Sequence, residues 1–107
     1  MKLLRTLLIS AVLCATSNAY AIHEVNKTPA RIGVSTPLNL AYFSVVEGLT
    51  TACLSGVVWI VLDAAGLGKM SYVSLLTAKV TGKQISYFDY TQDGFGNCYL
   101  NGLELAP

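Results

Sequence analysis

The sequence has little of what catalysis depends on. Charged residues make up only 12% of its 107 residues, and the single histidine is His23. A Ser-His-Asp triad would have to form around that one imidazole, and no Cys or His residues stand at the spacing of zinc ligands. We therefore expect a protein that is not an enzyme and that uses no metal or cofactor.

Basic residues are also few and form no stripe. Beyond residue 21 the chain has five Lys or Arg residues against six Asp or Glu residues. Nucleic-acid binding needs several basic groups that neutralise phosphates, and attraction to anionic lipid needs a polybasic patch. The composition therefore argues against a nucleic-acid partner.

Long apolar runs and phosphate-binding loops are missing after residue 21. The most apolar stretch there, residues 52–62, is 11 residues long, whereas a spanning helix needs roughly 20. Gly66 and Gly68 form a Gly-x-Gly, but neither a full dinucleotide fingerprint nor a Lys-Ser/Thr ending accompanies it. We expect no nucleotide cofactor and no stable membrane insertion once the N-terminal signal is removed.

The chain begins with the features of a secretory signal of bacterial type. Basic residues precede the apolar run Leu7–Leu13, and a small-x-small site ends at Ala21. We predict cleavage after Ala21, so that residues 1–21 are the signal peptide and residues 22–107 form one secreted or periplasmic domain. The alternatives are an N-terminal membrane anchor and a lipoprotein modified at Cys14, which lacks the small residue expected directly before it.

Two cysteines, Cys53 and Cys98, remain beyond the predicted signal. In an oxidising compartment, a cysteine pair in a small exported domain is most simply a disulfide. The alternative is a pair of free or metal-binding thiols.

The periodicity and turn signals after residue 29 predict five strands and one helix. The strands are residues 30–36, 40–47, 52–63, 85–90 and 98–105, the helix is residues 71–82, and residues 22–29 form a loosely attached start. Because residues 52–63 are apolar on both faces, we expect that strand to be buried on both sides. Five strands with a helix between the third and fourth give a mainly β, α+β domain with the connectivity of an OB-like barrel.

The helix has the clearest signals. Ser71 is a suitable N-cap and Gly82 a suitable stop. Val73, Leu76 and Val80 recur at helical spacing, so we expect them to face the core and to cap the interior of the barrel.

The final hairpin is the candidate ligand site. Asp93 and Gly94 are the strongest turn signal in the chain, and aromatic and polar residues surround them. The candidate ligand-binding residues are Tyr90, Gln92, Asp93, Phe95 and Asn97. Aromatic faces next to hydrogen-bonding side chains are typical of carbohydrate sites, although ordinary packing across the strands also explains aromatic residues in a sheet.

The segment from Lys69 to Leu105 resembles the C-terminal half of Shiga-toxin-type B subunits. Their helix has a Leu-Leu-x-x-Ala-x-x-x-Gly pattern, which is similar to the stretch Leu75-Leu76-Thr77-Ala78-Lys79-Val80-Thr81-Gly82 here, and it precedes a β-hairpin rich in Gly and Asn. Small secreted bacterial proteins with a Cys in the hairpin region share the pattern. The resemblance implies an OB fold, a homo-oligomeric ring of five subunits with the helices lining its pore, and binding of cell-surface glycans. No site residue is carried over, because the first half of the chain does not match the family.

The sequence therefore predicts a non-enzymatic binding module that recognises a glycan or another cell-surface molecule. The alternative is a monomeric periplasmic domain that binds or inhibits another exported protein and recognises no sugar.

Overall fold

The computed structural model describes residues 21–63 and 66–107, so the predicted signal peptide and Cys14 lie outside the described residues, apart from Ala21. Six strands and one helix follow one another along the chain. They are β1 (Ala21–Lys27), β2 (Pro29–Ser35), β3 (Leu40–Val45), β4 (Val58–Val61), α1 (Leu67–Thr81), β5 (Ile85–Gln92) and β6 (Cys98–Leu105), with a short 3-10 turn at Leu54–Gly56 between β3 and β4.

The strands form one sheet in the order β1-β5-β6-β4-β3-β2. Neighbouring strands are antiparallel except β4 and β6, which are parallel and pair at Val58 with Cys98 and at Trp59 with Tyr99. Helix α1 packs against β2, β4 and β6. The expectation of a mainly β domain with one helix is confirmed.

The prediction of a five-stranded barrel is wrong, because the described residues form a six-stranded sheet that is not closed. The strand that was missed is β1, which was expected to be a loose start. It pairs antiparallel with β5 from Ala21 opposite Thr91 to Lys27 opposite Ile85. Its sequence is mostly polar, so it lacks the apolar alternation that predicts a strand.

A single residue, Thr28, joins β1 to β2, although these strands lie at opposite edges of the sheet. Asn26 has a left-handed backbone (φ 53°) and Pro29 starts β2, so the chain changes direction between the two strands. The side chain of Glu47 accepts hydrogen bonds from the amide (2.7 Å) and the hydroxyl (2.6 Å) of Thr28. The sheet must therefore curl, which brings its two edges towards each other around the core.

The core fills the inside of the curl. Its buried members include Ala41, Phe43, Val58, Ile60, Leu75, Ile85, Phe88, Tyr90 and Cys98. Phe88 contacts Phe43 edge to face and stacks on Tyr90, with ring centroids 5.3 and 5.8 Å apart. Alternate residues on the strands point away from this core and form the outer face of the sheet.

Helix α1 ends where predicted but begins earlier and faces the other way. Gly82 ends it in a left-handed conformation (φ 71°), whereas the helix starts at Leu67, and the hydroxyl of Ser71 donates to the Leu67 carbonyl instead of capping. The expected inward residues Val73, Leu76 and Val80 are exposed, and the buried residues are Leu75 and Ala78. That prediction of the helix face is wrong.

Glycine explains the orientation of the helix. A Cβ on Gly68 would overlap the carbonyl oxygen of Val61, so the first turn of α1 lies directly on the end of β4. Only a residue without a side chain allows this approach. The helix therefore packs against the sheet through its small residues and Leu75.

The third predicted strand is shorter and less buried than expected. Only Val58–Val61 forms a strand, because the preceding residues pass through the disulfide at Cys53 and the 3-10 turn. Val58 and Ile60 are buried, but Trp59 is half-buried and Val61 is half-exposed, since none of the described helices and strands covers the outer face here. The expectation of burial on both faces is wrong. Among the described residues, α1 is too short and too polar to be a membrane span.

The disulfide between Cys53 and Cys98 is confirmed. It joins the loop after β3 to the first residue of β6, with the Cα atoms 5.6 Å apart. Two hydrogen bonds reinforce this junction, because the amide of Leu54 donates to the carbonyl of Gly96 and the side chain of Gln92 donates to the carbonyl of Ala52, both at 2.9 Å. The loop and the β5–β6 hairpin therefore form one braced unit.

Candidate functional site

The structure does not bring the five predicted hairpin residues together on one surface. The side chain of Tyr90 is completely buried and points into the core. Gln92 uses its amide to tie the hairpin to the carbonyls of Ala52 and Gly96. These two side chains hold the hairpin in place.

Asp93 and Asn97 form the turn itself. One carboxylate oxygen of Asp93 accepts hydrogen bonds from the amides of Phe95 and Asn97, both at 2.9 Å. Desolvation works against ionisation, but the hydrogen bonds from Asn97 and Phe95 together outweigh it and keep the pKa of Asp93 below its ordinary value. Of the five residues, only Phe95 is strongly exposed, with 86% of its surface accessible.

A different set of aromatic residues lies side by side on the outer face. Tyr42 on β3 is opposite Trp59 on β4, and Trp59 is opposite Tyr99 on β6. The Tyr42 and Trp59 rings meet edge to face with centroids 5.3 Å apart. All three side chains are partly exposed. We call Tyr42, Trp59 and Tyr99 the aromatic row.

Gly33 supports one end of the row. It lies opposite Tyr42 in the sheet, and a Cβ at Gly33 would overlap the Tyr42 ring. The ring therefore lies across the bare backbone of β2, which fixes its orientation. At the other end of the row, Tyr99 is opposite Thr91 on β5.

Polar groups continue the outer face beyond Tyr99. The Asn101 amide donates to the Thr91 hydroxyl at 2.8 Å. Further along β5, the Tyr87 hydroxyl lies 2.6 Å from Nδ1 of His23 on β1. The aromatic row is thus flanked on this side by groups that can form hydrogen bonds with a ligand.

A cleft of about 250 Å³ opens beside the row, between the end of β4, the start of α1 and β6. It exists because β4 and β6 pair only as far as Trp59 and Tyr99, after which the first turn of α1 separates them. Its polar side chains are Asp63, Ser71 and Asn101, and its apolar ones include Val61, Leu67 and Leu100.

On the inner side of the sheet lies a buried carboxylate, Glu24 of β1, which is 2% exposed. Its Oε2 atom accepts hydrogen bonds from the Tyr90 hydroxyl (2.6 Å) and from the amide (2.9 Å) and hydroxyl (2.8 Å) of Thr50. Its Oε1 atom has no hydrogen-bond partner, and the nearest cation is the Lys27 ammonium at 3.8 Å. The carboxylate therefore ties edge strand β1 to β5 and to the loop after β3.

The environment of Glu24 keeps it ionised. Burial alone would raise the pKa of Glu24, but the hydrogen bonds from Tyr90 and Thr50, together with Lys27, outweigh it and hold the pKa below the ordinary 4.5. Burial, followed by the hydrogen bond to this carboxylate, raises the pKa of Tyr90 to about 12. Tyr90 thus stays a neutral donor at physiological pH.

Acid should weaken this network. Because the native pKa of Glu24 lies below 4.5, its stabilisation is complete above that pH and is lost as the pH falls through the native value. We expect the Glu24→Gln variant to be less stable by about 2 kcal/mol at pH 7, since its hydrogen bonds lose charge assistance. Urea unfolding measures the free energy of unfolding at pH 7 and at pH 3. Between these pH values the variant should lose less unfolding free energy than the wild type. The other carboxylates are the same in both proteins, so any difference between the losses must come from Glu24. Equal losses would therefore contradict the stabilising role of the ionised Glu24.

Helix α1 presents a second exposed surface, opposite Leu75 and Ala78. Its apolar members include Met70, Val73 and Val80, and Val80 is 84% exposed. The hydroxyls of Ser74, Thr77 and Thr81 donate to carbonyls four residues earlier in the helix. This helix face could therefore be covered without leaving those hydroxyls unsatisfied.

No protein-family model matches the chain, and no curated protein or solved structure shows significant similarity to it. The resemblance to Shiga-toxin-type B subunits therefore stays a prediction. Within residues 21–63 and 66–107, no group of three or more His, Cys, Asp or Glu side chains is arranged to hold a metal ion. The candidate site must be judged on its geometry.

The sequence contained part of the signal for the aromatic row. Trp59 and Tyr99 are aromatic residues in predicted strands, but packing in the core was the favoured interpretation of Trp59. Tyr42 and Gly33 were missed altogether. The row depends on the pairing of β3, β4 and β6, and the parallel β4–β6 pair joins residues 40 positions apart, Val58 with Cys98 and Trp59 with Tyr99, for which local periodicity has no signal.

Proposed function

We propose that this protein is an exported, non-enzymatic binding module that recognises glycans through the aromatic row. The observation that carries the proposal is the alignment of Tyr42, Trp59 and Tyr99 as cross-strand neighbours that remain partly exposed. Sugar rings have apolar faces that pack on aromatic side chains, while their hydroxyls bond to nearby polar groups. The groups around Asn101 and Thr91 supply such partners.

The strand order supports an OB-like fold as the framework for this site. When β1 and β2 are counted as the two halves of one bent strand, the sheet contains five units, and α1 connects the third to the fourth. That connectivity is the one found in OB domains, which commonly bind oligosaccharides or oligonucleotides on their sheet.

Charge favours the glycan over the oligonucleotide. Single-stranded nucleic acid also stacks on aromatic rows, but its binding sites add a positively charged groove that follows the phosphates. Among the described residues of β2, β3, β4 and β6, the only basic side chain is that of Arg31. An uncharged, ring-shaped ligand fits this surface better than a polyanion.

The test is a glycan array probed with residues 22–107. We expect binding to a defined set of oligosaccharides, and we expect Trp59→Ala to weaken it by about 30-fold, the effect of removing a central aromatic contact. Circular dichroism should confirm that the variant is folded.

Phe95→Ala is the matched control, because Phe95 is an exposed aromatic residue outside the row. It should leave glycan affinity within about twofold, as surface changes away from a site usually do. If Phe95→Ala abolished binding and Trp59→Ala did not, the hairpin would be the site. A wild-type protein that binds no glycan would refute the proposal.

The exposed face of α1 favours a second candidate function, binding of another exported protein or of further copies of this chain. Contiguous apolar surface on a soluble domain often marks a protein interface, and Met70, Val73 and Val80 provide it here. Size-exclusion chromatography with light scattering separates the candidates. A complex that Val80→Lys disrupts, in a protein without glycan binding, would favour this alternative.

A further inference from the structure

The cleft beside the aromatic row lies within reach of a ligand that stacks there. Val61 follows Trp59 by two residues, and Asn101 follows Tyr99 by two. Strands advance about 3.3 Å per residue, so the cleft opens roughly 7 Å from the row. The hydrogen bond from Asn101 to Thr91, which is opposite Tyr99, places the Asn101 amide on the same outer face.

The polar groups of the cleft suit hydroxyl groups. The carboxylate of Asp63 accepts hydrogen bonds only. The Asn101 amide has a carbonyl acceptor and two donor hydrogens, of which the bond to Thr91 uses one. Ser71 donates its proton to the Leu67 carbonyl, so its oxygen can act as an acceptor. The apolar walls formed by Val61 and Leu100 can cover the carbon skeleton of a sugar ring.

The charge of the cleft disfavours anions. Asp63 is the one charged residue among those that line the cleft within the described ranges, and neither Lys nor Arg accompanies it. A sugar that carries a carboxylate or sulfate group would meet this carboxylate without a compensating cation, and juxtaposed like charges oppose binding.

We propose that this cleft is a specificity subsite for an uncharged, hydroxyl-rich sugar unit linked to the one that stacks on the aromatic row. Asp63 and Asn101 bind its hydroxyls, and Asp63 rejects units that carry a carboxylate or sulfate group. The inference rests on the proposed function, because the row must bind a glycan before the cleft can select its neighbour.

The experiment compares matched neutral and carboxylate-bearing oligosaccharides, chosen from the array, by isothermal titration with the wild type, Asp63→Asn and Asp89→Asn. Asp89 is the control, since it lies on β5 and does not line the cleft. We expect the wild type to prefer the neutral ligand by at least about 10-fold. Asp63→Asn should weaken neutral binding by about 10-fold, the effect of losing hydrogen bonds to a charged group, and should reduce the preference to within about twofold. Asp89→Asn should change neither quantity.

The outcomes separate the subsite from the proposed function. If Trp59→Ala abolishes glycan binding while Asp63→Asn behaves like the wild type, the row stands and the subsite is refuted. A wild type that prefers the carboxylate-bearing ligand also refutes the subsite, as does an equal effect of Asp63→Asn and Asp89→Asn. No binding of any glycan refutes both proposals together. Thermal melting of each variant confirms that affinity differences do not arise from unfolding.

Discussion

We expect the double variant Cys53→Ala/Cys98→Ala to lose about 4 kcal/mol of unfolding free energy. The disulfide joins residues 45 positions apart, and closing a loop of that length removes much conformational freedom from the unfolded chain. Small domains are commonly stable by only about 5 to 15 kcal/mol. The variant should therefore be marginally folded at 37 °C.

Urea unfolding of the wild type and the variant at 25 °C measures this loss. Reduction of the wild type with dithiothreitol under the same conditions should reproduce it, because both treatments open the same loop. The Gln92→Ala variant is the control, because it removes the hydrogen bond that joins the hairpin to Ala52. It should lower the unfolding free energy by about 1 kcal/mol. A loss below 1 kcal/mol in the double cysteine variant would show that hydrogen bonding alone holds the junction.

The bridge also shows which features of this fold are accessible from sequence. Cys53 and Cys98 are the only two cysteines beyond the predicted signal. The number of cysteines and the oxidising compartment expected of an exported domain were therefore sufficient to pair them. The turn at Asp93 and the helix stop at Gly82 were likewise predictable, because each depends on the conformational preference of one or two residues.

Strand faces were harder to predict, because one irregularity changes which residues point inward. Strict alternation would place Ile85 on the same face as Tyr87. The register of β5 against β6 shifts between Ile85 and Tyr87, so Ile85 is buried together with Phe88 and Tyr90, while Tyr87 lies outside. The sequence has no local marker for this bulge. Tyr90 was assigned to the ligand site because it is an aromatic residue beside the polar turn, and the fold buries it instead.

The inward turn of Glu24 was unpredictable for a related reason. A glutamate is seldom fully buried unless it is paired. The presence of Glu24 in the mostly polar segment of β1 therefore predicts an exposed, loosely attached start of the domain. Its partners, Thr50 and Tyr90, lie 26 and 66 residues away along the chain. Only the folded sheet brings together the donors that make this burial stable.

The spacing of apolar residues in α1 does not identify its buried face, because both faces carry apolar residues. The stripe of Val73, Leu76 and Val80 is as regular as the buried one, but it lacks the small residues that a close contact with the sheet needs. Gly68 approaches Val61 at the start of the helix, and Ala78 is buried near its end. Close packing therefore selects the face with Gly and Ala.

Two adjacent leucines in α1 test this orientation directly. Leu75 is fully buried, whereas 37% of the surface of Leu76 is exposed. We expect Leu75→Ala to lower the unfolding free energy by about 3 kcal/mol, because the deleted atoms leave a cavity in a packed core. The same deletion at Leu76 should cost about 1 kcal/mol or less, since solvent can occupy much of the vacated space.

Thermal melting of the two variants makes the comparison. A loss of 3 kcal/mol corresponds to a decrease in Tm of about 15 °C for a domain of this size, and a loss of 1 kcal/mol to about 5 °C. Both variants gain the same helix propensity from alanine, so that contribution cancels between them. A larger decrease for Leu76→Ala would mean that the face with Val73 and Val80 packs on the sheet, as the apolar spacing alone predicts. The exposed helix surface, and with it the alternative function as a protein-binding domain, would then disappear.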